Sequence, residues 1–413
     1  MPESSPYVIV GAGLAGAKAA EGLREEGFEG DILLLGEEPE RPYERPPLSK
    51  DYLRGESERE EARVHPESFY EENEIELRTG VVVTELDPSA GEVVLAGGER
   101  LGYGRLLLAT GAEPRRLSLP GSDLKGIHYL RDLADTDRLA AGLAAAERLV
   151  VIGAGWIGAE IAASARQMGL EVTVIERAQV PLEHVLGAEV GSIYADIHRD
   201  HGVDLRLGAG LEAFEGDGRV ERVRLSGDET IDCDMVVVGV GVEPRTRLAE
   251  AAGLEIDNGI ATGAELETSA TNVFAAGDVA NAVHPFYGRR IRVEHWANAI
   301  RQGEAVARPM LGKPMPAVRL PYFFSDQYDV GMEYTGLATE WDRVVFRGDP
   351  ASREFVAFWL QGGRVVAGMN VNVWDVADSI EALIRAQRPV DPERLEDPEV
   401  ALDQLAGDEA QNR

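Results

Sequence analysis

What most constrains this chain is a pattern that occurs twice. Tyr7–Val10 is a short apolar run leading into Gly11-Ala12-Gly13-Leu14-Ala15-Gly16, and a helical pattern follows to about Glu26. A second apolar run over residues 31–35 ends at Gly36-Glu37, about 20 residues beyond the glycines, where a ribose-binding acid belongs. The order then returns: Arg148–Ile152 leads into Gly153-Ala154-Gly155-Trp156-Ile157-Gly158, residues 159–168 continue as helix, and residues 171–175 end at Glu176. A lone G-x-G-x-x-G is a weak signal, but two complete strand–turn–helix–strand–acid units predict two nucleotide sites in one chain. The glycines let a pyrophosphate approach the backbone, and the helix start behind them offers unpaired N–H groups and the positive end of a dipole. Glu37 and Glu176 are placed to accept from ribose hydroxyls, and a carboxylate there repels the extra phosphate of NADPH, so Glu176 favours NADH. Arg177, next in the chain, argues the other way, because it can swing toward a 2′-phosphate.

After the second unit come short strand patterns at residues 203–207, 220–225 and 235–240, then a third glycine-rich turn, Gly239-Val240-Gly241-Val242-Glu243-Pro244. Residues 268–278 read as a strand closing on Gly277 and Asp278. From about Leu320 the pattern changes to strands at 343–346, 354–360 and 364–369 and a helix over 374–387, predicting a separate α+β region. The acidic, proline-containing end reads as a helix and a frayed tail.

Composition removes several function classes. The 413 residues are 44% hydrophobic and 28% charged, with no apolar run long enough for a bilayer, so a soluble protein of two or three domains is expected, with no membrane partner. The polar lead MPESSP passes directly into a strand pattern without the basic and apolar regions of a cleaved leader, which predicts a cytoplasmic location. A net charge of −32 argues against nucleic-acid binding. The one cysteine, Cys233, excludes an internal disulfide and any metal site built from several thiolates, and its apolar surroundings predict a buried structural thiol; no metal is expected. Lysine occurs only at Lys18, Lys50, Lys125 and Lys313, so nearly all positive charge is arginine and each lysine invites a reason.

The segments GAGLAG, RPPLSK, LLLATG, VIGAGWIGAE, EPRT, NVFAAGDVA, EHWANA and SDQ run in this order over nearly the whole chain. Together they resemble the FAD-dependent NADH:ferredoxin reductases that serve oxygenases. The resemblance implies an α/β fold of two Rossmann-like dinucleotide-binding domains of the glutathione reductase type, plus a small α+β C-terminal domain. The expected boundaries are 1–114 and 247–319 for FAD, 115–246 for NAD(H), and 320–413 for the C-terminal domain. FAD then belongs to Gly11, Gly13, Ala15, Gly16, Glu37 and Lys50, and NADH to Gly153, Gly155, Ile157, Gly158, Glu160, Glu176 and Gly241. Thr110, Gly111 and Gly277 are expected near FAD, with Asp278 at its ribityl chain, Arg45 and Arg131 at its phosphates or ribityl region, and Val83 at its adenine side. Trp296 starts a helix whose N-terminus is expected to face the flavin pyrimidine, where a helix dipole stabilises negative charge by roughly 0.3 to 2 kcal/mol.

By the same resemblance, Lys50 of the PPLSK motif lies beside the flavin atom that receives hydride and pairs with Glu160, which makes these two the expected catalytic pair. Residues 36–55 contain no cysteine, unlike the thiol-bearing members of the superfamily, so electrons are expected to leave the flavin directly for a one-electron carrier, a [2Fe-2S] ferredoxin or similar protein. Two other readings stay open, an NADH oxidase or diaphorase and a redox-sensing binding protein like apoptosis-inducing factor. One departure stands out: Phe324 occupies the place of the family's usual tryptophan, which loses an indole N–H. Arg289, Arg290 and Arg292 are candidates for a basic docking patch, and either a monomer or a homodimer is expected.

Overall fold

Strands that are apolar along their whole length suit a parallel sheet covered on both faces, because neither row of side chains then meets water. Ile32–Leu35 meets this condition, and Tyr7–Val10 and Arg105–Leu108 meet it beyond a half-buried first residue, with Ile9, Leu34 and Leu107 fully buried. The structure, a computed structural model, describes residues 5–407. It divides into two compact units, one built from Met1–Arg45, Arg59–Glu113 and Val242–Arg319, the other from Pro46–Glu58, Pro114–Gly241 and Leu320–Arg413.

In the first unit a five-stranded parallel sheet runs Val273–Ala275, Arg105–Leu108, Tyr7–Val10, Ile32–Leu35, Ile75–Arg78. The helices Leu14–Glu25 and Trp296–Met310 cover one face, burying Ala19, Leu23, Val306 and Met310 in a common core. They approach closely because Gly303 has no side chain; a Cβ there would stand 2.5 Å from the Ala15 carbonyl oxygen. Arg289–Arg292, read from the sequence as a basic segment, is a strand paired with Ala280–His284. Arg289 is exposed, Arg290 pairs with Glu255 at 3.3 Å and Arg292 pairs with Glu294.

The second unit repeats the parallel design in the order Asp204–Leu207, Glu171–Glu176, Arg148–Ile152, Met235–Val238, Ile127–His128. The same unit holds a five-stranded antiparallel sheet, Tyr322–Gln327, Val330–Gly336, Arg364–Val371, Glu354–Gln361, Arg343–Asp349. The helix Glu183–Asp200 packs on that sheet through Leu186, Val190 and Tyr194, and Trp359 Nε1 donates to the Leu186 carbonyl at 3.1 Å. The short segment Pro46–Glu58, which the sequence reading kept with the first domain, packs in this unit because Leu53 is buried among Leu139, Leu149 and Ile161. The helix expected over 374–387 is shorter, Ala377–Ala386, since Asp375 takes a left-handed backbone (φ 63°) that interrupts it. The expected terminal helix is two short ones, Pro392–Glu396 and Leu402–Ala406, and the expected frayed tail at residues 408–413 lies outside the described residues. Among the described residues no helix is long and apolar enough to cross a membrane.

Candidate functional site

Both glycine motifs show the same division of labour. Gly11 (φ 117°) and Gly153 (φ 97°) occupy backbone conformations that side chains rarely adopt, and a Cβ on either would collide with the neighbouring strand's backbone, 2.1 Å from Ala109 O or 2.4 Å from Gly239 O. Gly16 and Gly158 seat the helix on its strand; a Cβ there would fall 2.0 Å from Gly11 O and 2.1 Å from Gly153 O. Gly13 and Gly155 differ, for a Cβ on either meets nothing within 4 Å. The fold therefore has no need of glycine at these two positions, and the empty space beside them is room for something else.

What that something is follows from the helix starts. Gly13 and Gly155 are the residues before Leu14–Glu25 and Trp156–Gln167, and neither helix has a side-chain cap or an acid in its first turn. The helix Leu133–Leu143 shows the ordinary solution, a capping box in which Asp132 accepts from Asp135 N and Asp135 accepts from Asp132 N. Two uncapped helix starts beside two vacant glycine positions match a negatively charged pyrophosphate at each turn.

The acids at the strand ends are held differently. Glu176 Oε2 accepts from Ala154 N at 2.7 Å, inside the glycine turn, and Oε1 accepts from Ala178 N at 2.9 Å, so two backbone N–H groups fix the carboxylate over its own motif. Glu37 pairs with Arg245. Gly36 carries no side chain for a packing reason, since a Cβ there would approach the Ala12 methyl to 2.7 Å.

Several other predicted residues cluster in the first unit. Thr110 Oγ1 donates to Arg245 O at 2.9 Å, Gly111 O accepts from Arg245 N, and Gly277 N donates to Gln302 Oε1 at 2.9 Å, with Gly277 and Ala15 in close approach. Arg45 pairs with Glu38 at 3.1 Å and feels the charge of Asp278. Trp296 opens its helix as expected and interacts with the Glu44 carboxylate, whose pKa burial raises. Val83 begins an edge strand and packs against the core. In the second unit Ile157 stands 45% exposed in the first helical turn, Gly241 (φ 95°) accepts from Arg115 N, and Arg131 leads into the Asp132 capping box.

Lys50 and Glu160 meet. Lys50 Nζ lies 2.8 Å from Glu160 Oε2, with side chains 12% and 5% exposed. Ser49 Oγ donates to the same oxygen at 2.5 Å, Ser325 Oγ donates to Oε1 at 2.7 Å, and Lys50 also donates to Pro46 O at 3.2 Å. The Phe324 ring lies 5.8 Å from Nζ. A buried pair needs this many partners, because desolvation otherwise outweighs the attraction. Sequence reasoning missed Ser49, Ser325, Gln327 and His198; the available signal was two polar residues, Ser325 and Gln327, in phase with buried Phe323 on one strand.

The family described as "Pyridine nucleotide-disulphide oxidoreductase" matches residues 5–303, and "Reductase C-terminal" matches residues 322–406. The chain belongs to these oxidoreductases. It is 41% identical to the 5,5'-dehydrodivanillate O-demethylase ferredoxin reductase subunit of Sphingobium sp., over 96% of this chain and 97% of that one. It is 37% identical to putidaredoxin reductase of Pseudomonas putida, over 98% and 97%. Among solved structures it matches the reductase of the covalent putidaredoxin reductase–putidaredoxin complex with a TM-score of 0.94 and 36% identity, over 99% of both chains. The family resemblance read from the motifs is borne out, and with it an oxidoreductase using FAD and NAD(P)H. The vacant glycine positions and uncapped helix starts of this oxidoreductase fit both dinucleotides.

Proposed function

We propose that this oxidoreductase takes hydride from NADH onto FAD and delivers single electrons to a [2Fe-2S] ferredoxin serving an oxygenase. The Lys50–Glu160 pair carries this reading. A lysine 12% exposed, held against a carboxylate by two serines, maintains a fixed positive charge whose neutralisation is built into the protein, a group suited to drawing electrons toward an acceptor. FAD, when bound, accepts two electrons together and releases them one at a time.

The chain's own residues do the rest. Gly11, Gly13 and Gly16 with the Leu14–Glu25 helix start hold the FAD pyrophosphate, and Gly153, Gly155 and Gly158 with the Trp156–Gln167 start hold that of the nicotinamide nucleotide. Thr110, Gly111, Gly277, Asp278, Arg45, Arg131, Val83 and Trp296 are assigned to FAD, and Ile157 and Gly241 to NADH. Glu176, fixed by Ala154 N and Ala178 N, accepts the adenine ribose hydroxyls and repels a 2′-phosphate, which favours NADH. No thiol relay is available, for Cys233 is 1% exposed and burial pushes its pKa up to about 12. The relatives named as ferredoxin reductases, and the complex with putidaredoxin, support an iron–sulfur protein as acceptor.

Stopped-flow mixing tests the proposal. NADH should reduce the bound flavin quickly, NADPH at least about tenfold more slowly, and reoxidation should be fast only with an added [2Fe-2S] ferredoxin. Equally fast reoxidation by air alone would overturn the acceptor assignment.

A further inference from the structure

The Lys50–Glu160 pair is one end of a longer buried chain. Ser325 Oγ, at 2.7 Å from Glu160 Oε1, lies 3.3 Å from Gln327 Nε2; Gln327 Oε1 lies 3.0 Å from His198 Nε2; and His198 Nδ1 lies 3.0 Å from the Tyr328 hydroxyl. Ser325 and Gln327 are each 1% exposed and His198 2%. None of these three is needed to fill the core, where an apolar residue of similar size would pack without the cost of burying polar groups.

The direction of every bond follows from the charge at one end. Glu160, paired with the Lys50 ammonium, is a carboxylate and can only accept, so the single Ser325 proton points at it. Ser325 Oγ must then accept from Gln327, which turns the amide oxygen toward His198. His198 Nε2 therefore carries a proton, and Nδ1 accepts from Tyr328. The Tyr328 end agrees independently: burial raises the phenol's pKa, so it remains a donor, and burial lowers that of His198 to about 4, so the imidazole remains neutral. Tyr328 also takes a left-handed backbone (φ 59°) in the two-residue turn between Gln327 and Val330, a position that ordinarily favours Asn, Asp or Gly, and its ring stacks on His201 with centroids 3.7 Å apart.

We infer that His198 and Gln327 are positioning residues for the Lys50–Glu160 pair, through a one-way hydrogen-bond chain running Tyr328, His198, Gln327, Ser325, Glu160. Every bond donates toward Glu160, so the chain fixes the orientation of the carboxylate and keeps Lys50 in place as its counter-charge. This rests on the proposed reaction for its catalytic consequence, though not for its geometry.

Nitrogen NMR of the wild-type protein labelled with [15N]histidine reads the geometry without any variant in doubt. His198 is assigned by its absence in His198→Phe, and both the FAD-free and FAD-bound protein should show it as the neutral Nε2–H tautomer at neutral pH. The Nδ1–H tautomer, or an imidazolium, would overturn the chain. Flavin reduction by NADH then reads the consequence. His198→Phe and Gln327→Leu should each lower the limiting rate by about fivefold, the effect of one lost buried hydrogen bond, with the NADH dissociation constant unchanged. His198→Gln, which keeps a side-chain N–H, should recover to within about twofold, and the double variant should be no slower than the slower single one, since both cut one chain. Unchanged rates in flavin-bound variants, or losses that multiply in the double variant, would refute the positioning role. A wild-type protein whose flavin NADH does not reduce would sink the proposed reaction instead, leaving the tautomer to decide the chain.

Discussion

Gly13→Ala and Gly16→Ala change neighbouring residues by the same single methyl, yet the structure separates their effects completely. At Gly16 the methyl would stand 2.0 Å from Gly11 O and 3.3 Å from the Ile9 side chain, and no rotation relieves a clash with backbone. The helix Leu14–Glu25 would have to lift from its strand, costing about 3 kcal/mol or more and lowering the melting temperature of the FAD-free protein by roughly 6–12 °C. At Gly13 the backbone is ordinary extended (φ −87°, ψ −169°) and the methyl meets nothing within 4 Å, so the FAD-free protein should melt within about 2 °C of the parent. The methyl would instead occupy the approach of the pyrophosphate. Losing one charged hydrogen bond there, worth about 1.5–3 kcal/mol, weakens FAD by roughly 10- to 150-fold. Differential scanning fluorimetry of the stripped protein and a fluorescence titration with FAD measure the two quantities. A Gly13→Ala protein that melts as low as Gly16→Ala, or binds FAD as tightly as the parent, refutes the reasoning. Gly155→Ala and Gly158→Ala should divide the same way with NADH as ligand.

Glu160→Gln leaves the Lys50 ammonium, 12% exposed, without its carboxylate, and denaturant melts should show a loss of about 3–5 kcal/mol; a change below about 1 kcal/mol would mean that the pair is solvated. Glu176→Gln removes the charge held by Ala154 N and Ala178 N, so the preference in kcat/KM for NADH over NADPH should fall by about tenfold, and an unaltered ratio would assign discrimination elsewhere. His198 has an ordinary pKa of 6.5 and burial lowers it to about 4, so the unfolded chain binds more protons across that window. Stability should therefore fall as pH drops from about 6.5 toward 4, by up to about 3 kcal/mol from this residue, and His198→Phe should flatten the slope; the same slope in parent and variant counts against a buried neutral imidazole.

Both glycine turns were legible in the sequence because their causes are local. A positive φ at Gly11, a close helix at Gly16 and an open face at Gly13 are demands made by a turn on the residues within it, and the strands Tyr7–Val10 and Arg148–Ile152 occur where their apolar runs predict them. The strand Tyr322–Gln327 shows the limit. Its period puts Phe323, Ser325 and Gln327 on one face, but what two polar groups on a buried face are for depends on who stands opposite.

Only tertiary structure answered that, since Glu160 and His198 come from helices more than a hundred residues earlier in the chain. It likewise moved Pro46–Glu58 into the second unit, where Leu53 finds its core and Lys50 its carboxylate. Backbone conformation is settled by a residue and its neighbours, and so the amino-acid order alone determined the two turns, their helices and the acids that follow them. The hydrogen-bond partners of a buried polar group are settled by whatever the fold brings within about 3 Å, and no spacing along the chain records it.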